Sequence, residues 1–532
     1  MRLGSVVGLL LCLATPSVLA QQQPSPVPAG PLTLEQVLDL AQSRSEAIGI
    51  AQASVERAKG AQVQARSGRL PQLTASASYE RALASEFSGV FGGTSGPPCP
   101  AFSLDPAAPL TERVAEIERA ADCGAIGNSL FGGGDEIALP FGRKNTWRVN
   151  LAFSQAIYSG GRLGAQADIS LASRESADLA LTSARAQLLF DTTQAFYDAA
   201  LSERLVQIAE ATVAQAEATA QQVQSAFEAG AQPEFELLRA RVTRDNQRPV
   251  VIRRRADRDI AMLRVKQLLD LAPDYEVRLV ALLDGPVPPP TAFADRVAAA
   301  EKSVAVTDAG ARTAVQEVGA LVRLREASLR AALAERRPAV SLTSNYSNVA
   351  YPSGALPIGD YRTNWTVGAA VSVPVLTGGR QRGSEMVSRA ELESTRLQLQ
   401  QVRELASLDA RSAEAELTAA RAALDASAGT IEQARRAFEI AGVRFQSGVS
   451  TQLELSDARL SLQQAEANRA QAARDLQVAR ARVALLPELP LGAGAASTSR
   501  RATPIPVVSA PSAPQQPSVT PAAQTNRPGG GN

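Results

Sequence analysis

The chain states one long passage twice. WRVNLAFSQAIYSGGR begins at Trp147 and WTVGAAVSVPVLTGGR begins at Trp365, and these two tryptophans are the only ones present. The same 218-residue offset then holds without a gap. It carries Gly160 to Gly378, Gly161 to Gly379, Arg162 to Arg380, Phe227 to Phe445, Gly230 to Gly448, Glu236 to Glu454, Leu237 to Leu455 and Arg241 to Arg459. A repeat this long is a pair of whole structural units rather than successive turns of a solenoid. Each unit reads as a strand, a Gly-Gly hinge, a very long helix, a tight turn at glycine, and a second helix running back.

The long helix follows from what is missing. After Arg162 there is no proline until Pro233, and no glycine between Gly164 and Gly230. The good helix formers between them predict a rod of about 100 Å at about 1.5 Å per residue. Aromatic residues make up only 4% of the chain, which argues against large compact cores. Its Ala-, Arg-, Gln-, Glu- and Leu-rich composition suits long helices meeting along narrow seams. The 54 basic and 53 acidic residues nearly cancel at +1, giving no electrostatic ground for nucleic-acid binding.

In chain order, residues 1–20 read as a secretory signal peptide: Arg2, an apolar run from Val6 to Leu19, then Val18-Leu19-Ala20 before Gln21. A Gln/Pro linker (21–31) leads to a helix over 32–70, with Thr33 as N-cap and Leu34, Val37, Leu38 and Ala41 at helical spacing. Pro71 ends it. A hairpin over 71–158 follows. Leu73, Ala75, Ala77 and Tyr79 alternate with polar residues in its first strand, and Trp147, Val149, Leu151 and Phe153 do so in its second. Between them lies a long loop, 81–145, with a helical patch near Leu110–Ala121. This loop holds Cys99 and Cys123, which in an exported protein form either a disulfide or two free thiols. The first helical hairpin spans 159–272 with its tip near 229–233, Gly230 suited to a C-cap and Pro233 to a helix start. After a linker (273–292), a helix over 293–337, a hairpin over 338–376 and a helical hairpin over 377–486 replay the scheme, the second tip falling near 447–451. Residues 487–532, rich in Pro, Ala, Ser and Gly without apolar periodicity, read as a disordered tail.

No apolar run after residue 20 reaches the ~18 residues a membrane helix needs. An exported chain of this kind can cross a membrane only as strands, and strands in lipid must close into a barrel. Four strands of about 10 residues match a bilayer in length, but the smallest single-chain barrels use about eight. The barrel is therefore shared between copies, with Trp147 and Trp365 in an interfacial girdle. A soluble sandwich is the alternative, and it leaves the long helices behind both hairpins without a purpose.

Both hairpins, PVLTGGR (374–380), the long helix behind it and RFQSGVSTQLELSDARLSL (444–462), all in tandem duplicate, resemble the TolC-type outer-membrane efflux proteins over nearly all of residues 32–486. The resemblance implies a mainly helical fold with a membrane β part. Four strands per protomer would join a twelve-stranded barrel in a homotrimer, continued by a helical barrel through the periplasm. It implies an exit duct in the outer membrane of a Gram-negative bacterium, meeting outer-membrane lipid. Its partners would be a periplasmic adaptor and an inner-membrane transporter of RND, ABC or MFS type. Loop 81–145 would then face outward, and the turns at Gly230 and Gly448 would form the periplasmic tip.

The resemblance also assigns residues. Gly230, Ala231, Gly448, Val449 and Ser450 are the expected adaptor contacts, and need structurally only be tight turns. Glu454 and Asp457, with Glu236 in the first repeat, fall where family members ring the closed entrance with carboxylates. Repeated threefold, Glu454 and Asp457 would set six carboxylates about one axis. The local alternative is that Thr451-x-x-Glu454 is a capping box. Relatives that latch the entrance with an Arg just after the second tip glycine have no counterpart here, where Ser450 and Thr451 stand. The chain contains no His, which excludes His-based catalysis and His metal ligands, and nothing calls for a cofactor or metal. An enzyme is not expected. The rival to a duct is a non-transporting periplasmic coiled-coil protein, and a diffusion porin is disfavoured because porins lack helices of ~100 Å.

Overall fold

The computed structural model describes residues 30–84, 100–123, 125, 145–281, 283, 293–302, 309–352 and 361–492. The signal peptide, most of the 21–31 linker, Cys99, most of loop 81–145 and the tail beyond Gly492 lie outside the described residues.

Four strands form one antiparallel sheet in chain order: β1 (Gln72–Arg81), β2 (Asn145–Tyr158), β3 (Ala339–Ala350) and β4 (Tyr361–Ser372). Because side chains alternate, register decides which residues share a face. Leu73, Ala75, Ala77 and Tyr79 lie opposite Phe153, Leu151, Val149 and Trp147. Across the next two ladders Leu151 meets Tyr346 and Tyr346 meets Trp365. One face is thus mainly apolar, broken by Ser344, Asn348 and Thr363 on the last two strands, and it gathers aromatic residues towards the loop end. Tyr79 and Trp147 have ring centroids 5.0 Å apart, Tyr346 and Trp365 6.4 Å. The other face carries Thr74, Ser76, Asn150, Ser154, Thr343, Asn345 and Thr366. Along their whole length β1 and β4 are exposed on both faces. Among the described residues no second sheet packs on this one.

Each hairpin feeds a rod. Helices α4 (Arg162–Glu228) and α8 (Arg380–Gln446) are both 67 residues long and begin and end at the 218 offset. The bend from strand to helix rests on paired glycines with positive φ, Gly160 at 64° and Gly161 at 96°, Gly378 at 55° and Gly379 at 85°. At Gly160 space also matters, since a Cβ there would sit 2.5 Å from the Cβ of Arg337. The return helices are α5 (Glu234–Leu268), which runs through Pro249 unbroken, and α9 (Gln452–Leu485). A ladder of carboxylates on α4 joins it to α5: Glu203 to Arg258 at 3.8 Å, Glu210 to Arg255 at 2.6 Å and Glu217 to Arg248 at 3.3 Å. The acids recur every seven residues, keeping them on one stripe of the rod.

At three places the structure adds detail to the expected elements. The helix expected over 32–70 is two: α1 (Leu34–Arg44) and α2 (Glu46–Ser67). Ser45 interrupts it because its hydroxyl accepts the Ile48 amide and restarts the helix as a cap. Over 293–337 the described residues form α6 (Ala294–Lys302), a single 3-10 turn at Ala309–Ala311 and α7 (Thr313–Ala334), with 303–308 outside the described residues. The 273–292 linker is more than a connection, because Leu279 bridges Leu32 in parallel, with Leu32 N donating to Arg278 O at 2.7 Å.

Midway down the rods the second repeat is tied by buried charge. Arg312, the residue before α7, is 0% exposed and donates to Asp409 on α8 at 2.7 Å and to the Leu489 and Ala406 carbonyls, each at 3.3 Å. From α9, Arg482 reaches the same Asp409 at 2.8 Å and also pairs with Glu416. Two buried arginines converging on one carboxylate fix three helices at one level. In loop 81–145, α3 (Leu110–Asp122) is followed by Cys123, which is disulfide-bonded.

Candidate functional site

The candidate functional features sit at the two ends of the rods: the sheet at one, the helical tips at the other. At the tips the two turns are built alike. Gly230 N donates to Phe227 O at 2.9 Å and Ala231 N to Ala226 O at 2.8 Å; Gly448 N donates to Phe445 O at 3.1 Å and Val449 N to Arg444 O at 2.9 Å. This is the glycine-terminated helix end that uses a left-handed residue to satisfy the last carbonyls. Gly230 and Gly448 have φ of 75° and 73°.

The two tips are joined to each other. Phe445 packs against Ala220, Val223, Leu237 and Ala240 of the first hairpin. Gln452, the first residue of α9, is 3% exposed. Oriented to satisfy both ends, its amide nitrogen lies 3.1 Å from both Glu236 O and Glu236 Oε2, while its oxygen accepts from Ala240 N at 3.2 Å. Glu236 thus takes part in holding the two hairpins together.

The three expected gate carboxylates have different surroundings. Thr451 Oγ1 accepts the Glu454 amide at 3.4 Å, which is half of a capping box. The Glu454 carboxylate does not close that box; it pairs instead with Arg444, across the turn, at 3.4 Å. Asp457 is exposed and has no ion-pair or hydrogen-bond partner among the described residues. Glu454 and Asp457, three apart on α9, lie on one face of the helix. Two residues beyond Asp457, Arg459 is 9% exposed, and no carboxylate pairs with it among the described residues; burial pulls its guanidinium below the ordinary arginine range. Arg444, Gln452 and Arg459 were not singled out as site residues from the sequence. Their roles depend on which helices meet, which residue spacing does not encode.

Further up, Asp198 on α4 pairs with Arg474 on α9 at 2.6 Å, yet burial outweighs the pair and holds its carboxyl above the ordinary range. Burial likewise pushes Tyr197 up to about 12. No group of three or more acidic, Cys or His side chains suited to a metal occurs among the described residues. No helix among them is long and apolar enough to cross a membrane.

A long-rod hairpin fused to a four-stranded antiparallel sheet, twice over, is the geometry to compare with known proteins. The profile of the outer membrane efflux proteins matches residues 115–270 and 309–486. The chain belongs to that family. Among solved structures, it is similar to the outer membrane protein VceC of Vibrio cholerae at 16% identity and a TM-score of 0.63, over 85% of this chain and 95% of that one. It is similar to the Campylobacter jejuni CmeC outer membrane channel at 15% identity and a TM-score of 0.63, over 86% of each chain. The open state of the Neisseria gonorrhoeae MtrE outer membrane channel matches at 18% identity and a TM-score of 0.60, over 86% of this chain and 89% of that one. Among curated proteins none matches significantly. Family membership places the chain in the outer membrane as an efflux conduit rather than an enzyme.

Proposed function

We propose that three copies of the chain assemble into an exit duct, a passive conduit across the outer membrane and periplasm, serving a tripartite efflux pump or a type I secretion system. The observation that carries this reading is the sheet. Its outer strands, β1 and β4, have no further partner among the described residues, and one of its faces is mainly apolar, broken by Ser344, Asn348 and Thr363. In hydrocarbon each unpaired backbone group costs several kcal/mol, so an open edge of 10 or 12 residues is untenable there. Pairing β1 of one copy with β4 of the next removes every edge. Three copies give twelve strands, with the apolar face towards lipid and the polar face lining water.

The 67-residue rods, about 100 Å each, continue the conduit through the periplasm. Exposed apolar residues on the outer flanks of the helical hairpins support this. Phe235, Leu238 and Val242 on α5 and Ile440 and Val443 on α8 have no cover in a single copy. At the tip, Asp457 supplies the uncompensated charge of the entrance ring, whereas Arg444 offsets Glu454. The turns at Gly230–Ala231 and Gly448–Ser450 receive the periplasmic adaptor, through which an RND, ABC or MFS transporter in the inner membrane supplies the energy. Trp147 and Trp365 lie at the outer interface.

The test is reconstitution into planar lipid bilayers. Discrete single-channel steps support the duct. Protein that remains water-soluble and never conducts would leave the non-transporting coiled-coil reading in its place.

A further inference from the structure

The four strands hold only four charged residues, Glu80, Arg81, Arg148 and Arg362, and all of them stand towards the loop end of the sheet. Alternation sorts them by face. Arg148 lies on the polar face with Asn150, and Arg362 lies there with Thr366. The ladders set both on one rung: Ser78 is opposite Arg148, Arg148 opposite Val349, and Val349 opposite Arg362. Both arginines are exposed. Glu80 shares their face two residues further out, opposite Thr146, while Arg81 falls on the apolar face with Tyr79. The polar face of one copy therefore carries two cations and one anion, and nothing else on it is charged.

We infer that Arg148 and Arg362 of three copies form a basic belt inside the outer mouth of the barrel, which draws in and holds anionic solutes; this rests on the trimeric duct proposed above, in which the polar face lines water. Six arginines against three copies of Glu80 leave an excess of three positive charges. Twelve strands about 4.8 Å apart and tilted by about 40° close at a radius of about 12 Å. An arginine reaching inward from that wall brings its charge within about one Debye length of the axis, ~10 Å at 0.1 M salt. Every path through the mouth then crosses the field of the belt. Guanidinium is also the cation whose planar donors fit a carboxylate or a phosphate with two parallel bonds.

An arginine at this height on the lipid side would have another use, reaching out to headgroups at the interface. Arg81 has that position, and Arg148 and Arg362 face the other way. The belt is also opposite in sign to Asp457 at the helical tips. The exit thus favours anions and the entrance cations, so a multivalent anion should block from the sheet side.

The test is block of the full-length protein in planar bilayers by inorganic tripolyphosphate, added to each chamber in turn at 0.1 M KCl. Block should be stronger from one side, and should fade at 1 M KCl, where the Debye length falls to ~3 Å. Arg148→Gln with Arg362→Gln should raise the blocking concentration on that side by about tenfold or more. Arg148→Lys with Arg362→Lys keeps the charge and should retain most of the block. Arg81→Gln removes the same charge from the opposite face and should leave block unchanged. Channels that conduct but are blocked equally well with both arginines replaced by Gln overturn the belt and leave the duct standing. Loss of block in Arg81→Gln as large as in the double variant also overturns it, since overall charge would then suffice. Wild-type protein that never conducts overturns the duct itself. Should the double variant fail to assemble, Arg148→Gln and Arg362→Gln singly should each weaken block in the same sense, and no change in either would refute the belt.

Discussion

Replacing Asp409 by alanine should destabilise the chain by about 3 kcal/mol, and the structure says why. Asp409 is the acceptor shared by two buried guanidinium groups, Arg312 at 0% and Arg482 at 3% side-chain exposure. Removing one partner of a buried ion pair typically costs about 3–5 kcal/mol, because the other charge is stranded in a medium that solvates it poorly. Here neither arginine is left wholly alone. Arg482 keeps Glu416, and Arg312 keeps the carbonyls of Ala406 and Leu489. That places the expected loss at the lower end of the range. The assay is urea unfolding of the purified protein followed by helical circular dichroism, the midpoint shift being multiplied by the common slope. Glu210→Ala in the exposed α4–α5 ladder is the internal control, and its loss should stay below about 1 kcal/mol. Asp409→Asn should resemble the alanine variant, since an amide cannot neutralise two cations. If Asp409→Ala lost no more than the ladder control, the convergence of charge at this level would not be what fixes the three helices.

Three further outcomes follow from other parts of the chain. Asp457→Asn should weaken block of the conducting channel by multivalent cations more than Glu454→Gln does, because Arg444 already offsets Glu454; equal effects in bilayer recordings would contradict that ranking. Gly448→Ala should cost about 1–2 kcal/mol through its left-handed backbone alone, since a Cβ there meets nothing within 4 Å; urea unfolding measures it. The Glu317 carboxyl is raised above the ordinary range by burial, so its charged form opposes folding. The folded chain holds that proton more tightly than the unfolded chain does. Its penalty therefore grows as pH rises from the unfolded towards the folded pKa and vanishes below both. Glu317→Gln should stabilise at neutral pH and be without effect in acid, and a pH series of unfolding midpoints would show it.

What could be read from the sequence was what depends on periodicity and on glycine or proline. The equal rods α4 and α8 follow from the uninterrupted helix formers between Arg162 and Glu228 and between Arg380 and Gln446. The apolar face of the sheet follows from strict alternation around Trp147 and Trp365. Ser45 was hidden because helical spacing continues on both sides of it, and only its side-chain capping bond marks the break. The Arg312–Asp409–Arg482 tie joins residues far apart in the chain whose neighbours look like ordinary surface charge. At the tip, Glu454 and Glu236 were visible as acids after a turn, but their partners were not. Arg444 comes from the other side of the turn and Gln452 from the other repeat, and only the packing of the two hairpins brings them together.

On the reading proposed above, this sheet is one third of a closed barrel. Native mass measurement of protein extracted from outer membranes in mild detergent tests that directly. The expected mass is three chains; a single chain, still folded with its long helices intact, would contradict it.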